Sequence, residues 1–403
     1  MSILILGLKW DLHGQTTTTS DILRRAIASD KELPYQSNID FINSKEGRLP
    51  VIAGYQFRTE TEELDISQQQ YLIRFDLNSK EERSAYKNVL QSQKAIYELE
   101  QKDILIDKMK ESYRAIIDHY YTTLDADQIN QELELLRDER KVIARILSNS
   151  SDVDISQWMD IEEDILEAEL DSISKQQSIK SLEALLKNEG DPIDYSNLIS
   201  INKIEATALE LMTYGNPSIK AQIAQAEGQK ALAELGMEEA EANKWLDFAQ
   251  LQYQDKDKLS LQQEISIGTS INLPYSGNNR IKRNEATLEV LEREYQFNKE
   301  QEEQATTLAT KFDQVANSIA EWKSYTRKIA TYDLPSSYTR YSQTPGISPL
   351  TLIDIRKSIL KFDSKLLDIS KDIYNEYLDI IFNAGALTSN SKINYLSNSF
   401  EKL

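Results

Sequence analysis

Gln70-Tyr71-Leu72-Ile73-Arg74-Phe75-Asp76-Leu77-Asn78 is the stretch on which the fold turns. Tyr71, Ile73, Phe75 and Leu77 point one way, while Arg74, Asp76 and Asn78 point the other. That is the period of two of an extended strand with one apolar face. Just upstream lies Val51-Ile52-Ala53-Gly54-Tyr55-Gln56-Phe57-Arg58, separated from it by the polar Thr59-Glu60-Thr61-Glu62-Glu63. The pair is expected to form a β-hairpin with a turn at those polar residues. Downstream, Asn78-Ser79-Lys80-Glu81-Glu82 reads as a charged helix start.

The pattern recurs about 195 residues later. Ala249, Leu251 and Tyr253 alternate with Gln250, Gln252 and Gln254. After Asp255-Lys256-Asp257-Lys258, Ile265, Ile267, Thr269, Ile271 and Leu273 alternate with Glu264, Ser266, Gly268, Ser270 and Asn272. Asn279-Arg280-Ile281-Lys282-Arg283 then opens a second charged helix. A hairpin on a globular core would alternate in the same way. Recurrence of hairpin, long helix, breaker and shorter helix makes a tandem strand-strand-helix-helix repeat the better account. Four such strands cannot close a barrel alone, but several copies could, with apolar faces to lipid and polar faces to water.

Between the hairpins the chain is helical. No Pro or Gly falls between Lys80 and about Leu147, or between about Asn279 and Leu334. Helices of that length extend roughly 100 Å and 80 Å, and they need a coiled-coil or barrel partner. Ser148-Asn149-Ser150-Ser151-Asp152 ends the first, followed by a helix from about Ile155 to Lys187. Pro335, Pro345, Gly346 and Pro349 end the second, followed by one from Leu350 to about Phe382. Ile106, Met109, Tyr113, Ile116 and Tyr120 form a core stripe, as do Leu308, Phe312, Val315, Ile319 and Trp322. A third comprises Leu352, Ile355, Ile359, Phe362, Leu366, Ile369 and Ile373, with Ile353, Leu360 and Leu367 as a second row.

Composition narrows the function. The 403 residues hold 46 basic and 66 acidic side chains, a formal charge of −20, and no cysteine. That charge opposes wrapping nucleic acid. Absence of cysteine removes disulfides, thiolate metal sites and cysteine nucleophiles. With only His13 and His119, a histidine-rich metal site is excluded, so no catalytic, metal or cofactor site is expected and an enzyme is not. No apolar run approaches the roughly 18–20 residues of a membrane-spanning helix; the best is Ile3-Leu4-Ile5-Leu6-Gly7-Leu8. It lacks a basic segment before it and a small-residue cleavage site after it, and reads as a truncated or misplaced start or as a local apolar strand.

In their order and spacing, these residues resemble the outer membrane efflux proteins, the TolC family. The second repeat carries the likeness through Asn216-Pro217, Ser270-Ile271-Asn272-Leu273-Pro274-Tyr275-Ser276-Gly277, the stretch from Asn279 to Glu289, and Gly346-Ile347-Ser348 with Leu350-Thr351-Leu352-Ile353-Asp354. In the first repeat Leu49-Pro50 and Asp154-Ile155-Ser156 match more loosely. The resemblance implies a mainly α fold with a small β part. Long α-helical hairpins would form a trimeric helical barrel capped by a twelve-stranded outer-membrane β-barrel, four strands from each protomer. The expected segments are an N-terminal part with a shortened first helix over 1–48, hairpins over 49–78 and 245–277, helical hairpins over 79–190 and 278–385, a linker over 191–215, a helix over 216–244 and a tail over 386–403.

The function so implied is that of a passive exit duct in the cell outer membrane, extending into the periplasm. It would serve a tripartite efflux or type I secretion system. Partners would be two further copies, a periplasmic adaptor, an inner-membrane pump and outer-membrane lipid. By family position, Asp354 matches one member of an aspartate pair at the periplasmic entrance, and Thr351 stands at the other; Asp160 and Tyr341 match further residues there. A threefold carboxylate ring in a narrow pore would concentrate cations, although acids near helix starts are also favoured by the helix dipole. Tyr55, Phe57, Tyr71, Phe75 and Tyr253 resemble an interfacial girdle, with Ile73, Ile265, Ile267 and Ile271 as further lipid-facing positions. The competing readings are a soluble or periplasmic coiled-coil scaffold and a degenerate duct that no longer transports.

Overall fold

A computed structural model describes residues 16–28, 34–61, 69–149, 155–188, 191–214, 216–254, 265–271, 277–390 and 392–403. The apolar run at 3–8, His13, most of the residues between the paired strands, and Asp154 lie outside them. In order, the chain forms β1 (Thr17–Thr18), α1 (Thr19–Ala28), α2 (Gln36–Asn43), β2 (Ile52–Thr61), β3 (Gln69–Leu77), α3 (Lys80–Asn149) and α4 (Ile155–Leu185). Then come β4 (Ile193–Asp194), α5 (Ile201–Tyr214), α6 (Ile219–Ala242), β5 (Leu246–Gln254), β6 (Ile265–Ile271), α7 (Gly277–Tyr332), α8 (Leu334–Ser342), α9 (Pro349–Asn383) and α10 (Ala386–Ser389). The chain divides into two compact units, one of residues 1–30, 105–216 and 305–403, the other of 31–104 and 217–304.

The second unit holds one antiparallel sheet in the order β2-β3-β5-β6, so the two hairpins join through β3 and β5. β2 runs further than its sequence suggests. Thr59 pairs with Tyr71, Glu60 with Gln70 and Thr61 with Gln69, because β-branched Thr suits a strand better than a turn. The sheet passes into α3 through a capping box. The Glu82 amide donates to Ser79 Oγ at 3.0 Å, and the Ser79 amide donates back to Glu82 Oε2 at 2.5 Å. Two otherwise orphaned donors are thereby satisfied. Ser79→Ala should cost about 1 kcal/mol, with amide-exchange protection lost first in the opening turn of α3.

In the first unit, Met109, Tyr113, Ile116 and Ile117 of α3 form a core with Ile204 and Ala208 of α5, Ile319 of α7 and Ile373, Tyr377 and Leu378 of α9. Two stretches expected to lie outside the helical hairpins contribute to it. Residues 191–215, expected as a linker, carry β4 and the 14-residue α5, whose Ile204 and Ala208 lie four apart on one buried face. The expected C-terminal tail is also built in: Leu387, Asn394 and Leu396 are fully buried. Tyr113 Oη donates to the Ile393 carbonyl at 3.0 Å and accepts from the Tyr395 amide at 3.1 Å. Asn394 donates to the hydroxyls of Thr19 and Ser20. Buried polar groups require such partners, and these partners are scattered along the chain.

Towards the far end of α3, a second cluster joins Leu133, Leu136 and Ile143 to Ile161, Ile165 and Ala168 of α4, with Trp158 and Leu350 packed against it. Inter-helix ion pairs flank it, Arg137 to Glu169 at 2.9 Å and Arg140 to Glu162 at 3.4 Å. Both pairs are exposed, so packing rather than charge carries the contact.

Candidate functional site

The sheet is chemically two-sided. On one face, pairing aligns Tyr55 with Phe75, Phe57 with Ile73, and Ile73 with Leu251, which in turn pairs with Ile267. Tyr71 pairs with Tyr253, and Tyr253 with Ile265. Tyr55 is 79% exposed, Phe57 62% and Ile267 80%; Phe75, Tyr253 and Ile265 are exposed, while Tyr71 and Ile73 are partly covered. Ile271 ends β6, and its side chain is outside the described residues. Phe57, Tyr71 and Tyr253 form an aromatic row across three strands, with ring centres 6.3 and 6.4 Å apart. Contiguous exposed apolar faces of this kind mark contact with lipid or with another protein.

The opposite face carries Gln56, Arg74, Gln250, Gln252 and Ser266. Gln252 donates to Gln70 at 3.0 Å. At one end of this face is an ion-pair cluster that inspection of the sequence missed. Arg74 lies 2.9 Å from Asp76 and 3.9 Å from Asp247, and its guanidinium sits 3.6 Å from the Phe248 ring centre. Lys244 reaches Glu82 and Asp247, each at 3.5 Å. The cluster fastens the start of α3 to β5, joining residues far apart in the chain, which no local motif can signal. Among the described residues β2 and β6 each have one strand neighbour, so both outer edges present unpaired backbone groups.

Three of the four entrance candidates lie on helix starts of the first unit, and the fourth lies at a helix end. Asp160 is in the second turn of α4 and exposed; Thr351 and Asp354, both exposed, are in the first turns of α9. Tyr341 is in the last turn of α8, exposed, with the Arg340 guanidinium 5.6 Å from its ring centre. Packing of Trp158 and Leu350 on one cluster brings the starts of α4 and α9 together. Among the described residues no hydrogen bond or ion pair joins these four side chains to one another.

A buried polar group in the same unit was also missed. His119 is 7% exposed, its Nδ1 is 2.7 Å from Tyr195 Oη, and its Nε2 is 3.8 Å from Glu183. Burial pushes the imidazole below its ordinary value, outweighing the opposite pull of Glu183. The unfolded chain, titrating near about pH 6.5, therefore binds the proton more readily. Stability is full above that pH and falls as pH drops through it towards the lower folded value. The thermal midpoint should fall on acidification from neutrality, and His119→Gln should flatten that dependence.

Among the described residues no helix is long and apolar enough to cross a membrane, and no three His, Cys, Asp or Glu side chains are placed to hold a metal. Comparison of the sequence with protein-family models finds no match, and comparison with curated proteins finds none. Solved structures do match. The chain is similar to CusC, described for its transmembrane channel formation, with TM-score 0.61 and 12% identity over 94% of this chain and 95% of that one. It is similar to the outer membrane protein VceC of Vibrio cholerae, with TM-score 0.56 and 13% identity over 91% and 93% of the two chains. For the MtrE outer membrane channel of Neisseria gonorrhoeae the values are 0.58 and 13%, over 91% and 87%. At these identities the likeness establishes the fold: mostly helical with a small strand part, the fold of outer-membrane channel proteins.

Proposed function

We propose that the chain is one protomer of an outer-membrane exit duct. Three copies would pair β2 of one with β6 of the next, closing twelve strands into a barrel with the aromatic and Ile face in lipid and the Gln face lining the lumen. The observation carrying this reading is the single four-stranded sheet: one exposed apolar face, one polar face and two unpaired edges. A globular scaffold would cover such a face.

Apolar seams on the helices support assembly. Met159, Leu166 and Ile173 of α4, seven apart, are exposed, and so are Ile281, Leu288 and Tyr295 of α7. A heptad row left exposed by the described residues suits contact with neighbouring copies. The helical portion would continue the duct into the periplasm and meet an adaptor and an inner-membrane pump. Asp354 with Thr351, and Asp160 with Tyr341, would stand around its entrance. There is no bond-making chemistry in this reading; small molecules or polypeptides pass through, driven by the pump. Tyr55, Phe57, Tyr71, Phe75 and Tyr253 would form the lipid-facing girdle.

Fractionation with crosslinking tests this. A trimer in the outer membrane supports the duct, and Asp354→Ala should then lower cation preference in single-channel conductance. A soluble monomer or dimer would make the protein a coiled-coil scaffold instead. A membrane trimer without conductance would be a duct that has lost transport.

A further inference from the structure

A second feature of the sheet-bearing unit lies where the chain enters β2. α2, the loop 44–47 and the opening turns of α3 enclose a cavity of 410 Å³. The loop is tightly built. Ser44 Oγ donates to the Phe41 carbonyl at 2.7 Å and accepts from the amides of Glu46 and Gly47. Gly47 is required, because a Cβ there would come within 2.7 Å of the Phe41 carbonyl oxygen.

The charge on this cavity departs from the rest of the protein. Arg48, Arg83 and Lys87 line it, Arg83 and Lys87 one helical turn apart on α3, and among the described residues no carboxylate lines it. Among the described residues none of the three forms an ion pair, although the chain has 66 acids against 46 bases. A fourth cation on the wall, Lys94, is already paired with Glu98 at 3.7 Å. Among the described residues the Arg83 guanidinium donates only to the Ser79 carbonyl, just before its own helix. The nearest acids in sequence are Glu46, Glu81 and Glu82, none of them among the lining residues; Glu82 is engaged by Ser79 and Lys244. Arg48 and Lys87 are exposed and Arg83 is partly covered, so water screens part of their mutual repulsion, and an anion in the cavity would offset the rest.

The remaining wall is mixed: Asn43 and Gln91 are polar, and Ile42, Leu49, Tyr86 and Leu90 supply apolar surface. From Leu49 the chain runs through Pro50 to the exposed Val51 and Ile52 that lead into β2. One site thus offers guanidinium and ammonium groups suited to a phosphate beside apolar surface suited to a hydrocarbon chain.

We propose that this cavity binds an anionic phospholipid, with its phosphate on Arg48, Arg83 and Lys87 and an acyl chain along Leu49, Tyr86 and Leu90. The proposal rests on the reading of the sheet as membrane-embedded, which puts headgroups level with the strand ends. Such a lipid would fasten the base of the sheet to one leaflet.

The test uses the full chain in detergent and native mass spectrometry with phosphatidylglycerol, phosphatidylcholine or inorganic phosphate. Phosphatidylglycerol should be retained about tenfold more tightly than phosphatidylcholine, and the preference should disappear in Arg83→Gln/Lys87→Gln. Arg48→Gln, on the loop, should weaken retention without touching α3. Equal retention of the two lipids, or a preference unchanged in these variants, would overturn the proposal. Displacement of the lipid by millimolar phosphate would make this a phosphate site and overturn the lipid assignment. Fractionation separates the two levels of failure. A wild-type chain outside the membrane fraction defeats the duct reading, whereas a membrane-embedded chain with no lipid preference defeats this proposal alone.

Discussion

Arginine at both Ile73 and Leu251 is expected to abolish the membrane-embedded form while leaving the helical unit folded. The two residues are a cross-strand pair at the centre of the apolar sheet face. If that face meets lipid, each Arg near the bilayer midplane costs about 2–4 kcal/mol. The pair occurs once per protomer, so assembly would multiply the penalty threefold. On the opposite face Gln252→Lys should be tolerated, because a charge in a water-filled lumen keeps its hydration. Outer-membrane trimer yield, measured for both variants, checks the expectation. Equal tolerance of the two substitutions would mean that neither face meets lipid. Equal loss would mean that the sheet is buried on both sides in protein.

The contrast between the two faces was legible because a strand writes its environment in period two. Tyr71, Ile73 and Phe75 announce one side, and Arg74 and Asp76 the other, within a single run of residues. The long helices were legible for a similar reason, since α3 and α7 run over 70 and 56 residues with hardly a breaker. What periodicity could not reveal was partnership. Joining of the hairpins through β3 and β5 depends on pairing between strands that the whole of α3 to α6 separates in the chain. The Arg74, Asp76 and Asp247 cluster draws on the same long-range pairing.

The helical stripes show the limit from another direction. Ile369 and Ile373 of α9 are buried, yet Leu352, Ile355 and Ile359 in the same row are only partly covered. An apolar row states that something covers it, not whether the cover comes from the same chain. Asp160, Thr351 and Asp354 pose the same difficulty for polar residues. Exposed acids at helix starts are satisfied by water and the helix dipole, and only a ring of copies would give them a shared role. The C-terminal segment was opaque for a third reason: Asn394 is buried by hydrogen bonds to Thr19 and Ser20, at the other end of the sequence.

That segment supplies the largest stability effect within one chain. Tyr113→Ala should destabilise the helical unit by about 3–5 kcal/mol, the range for removing a large aromatic from a core. The ring is fully buried and packs edge-on against Phe382, with centres 6.4 Å apart. Tyr113→Phe isolates the hydroxyl. It keeps the ring but strands the Tyr395 amide and the Ile393 carbonyl, which the hydroxyl bridges; a lost buried partner costs about 1–3 kcal/mol. The two variants should differ in kind as well as size. Loss of the hydroxyl alone would free residues 393–395 for proteolysis and amide exchange while the helices remain protected, because the apolar contacts persist. Alanine would loosen α3 against α9 as well. If Tyr113→Phe left the C-terminal segment as protected as in the parent chain, the buried contacts of Leu387 and Leu396, rather than the tyrosine hydroxyl, would be what holds it in place.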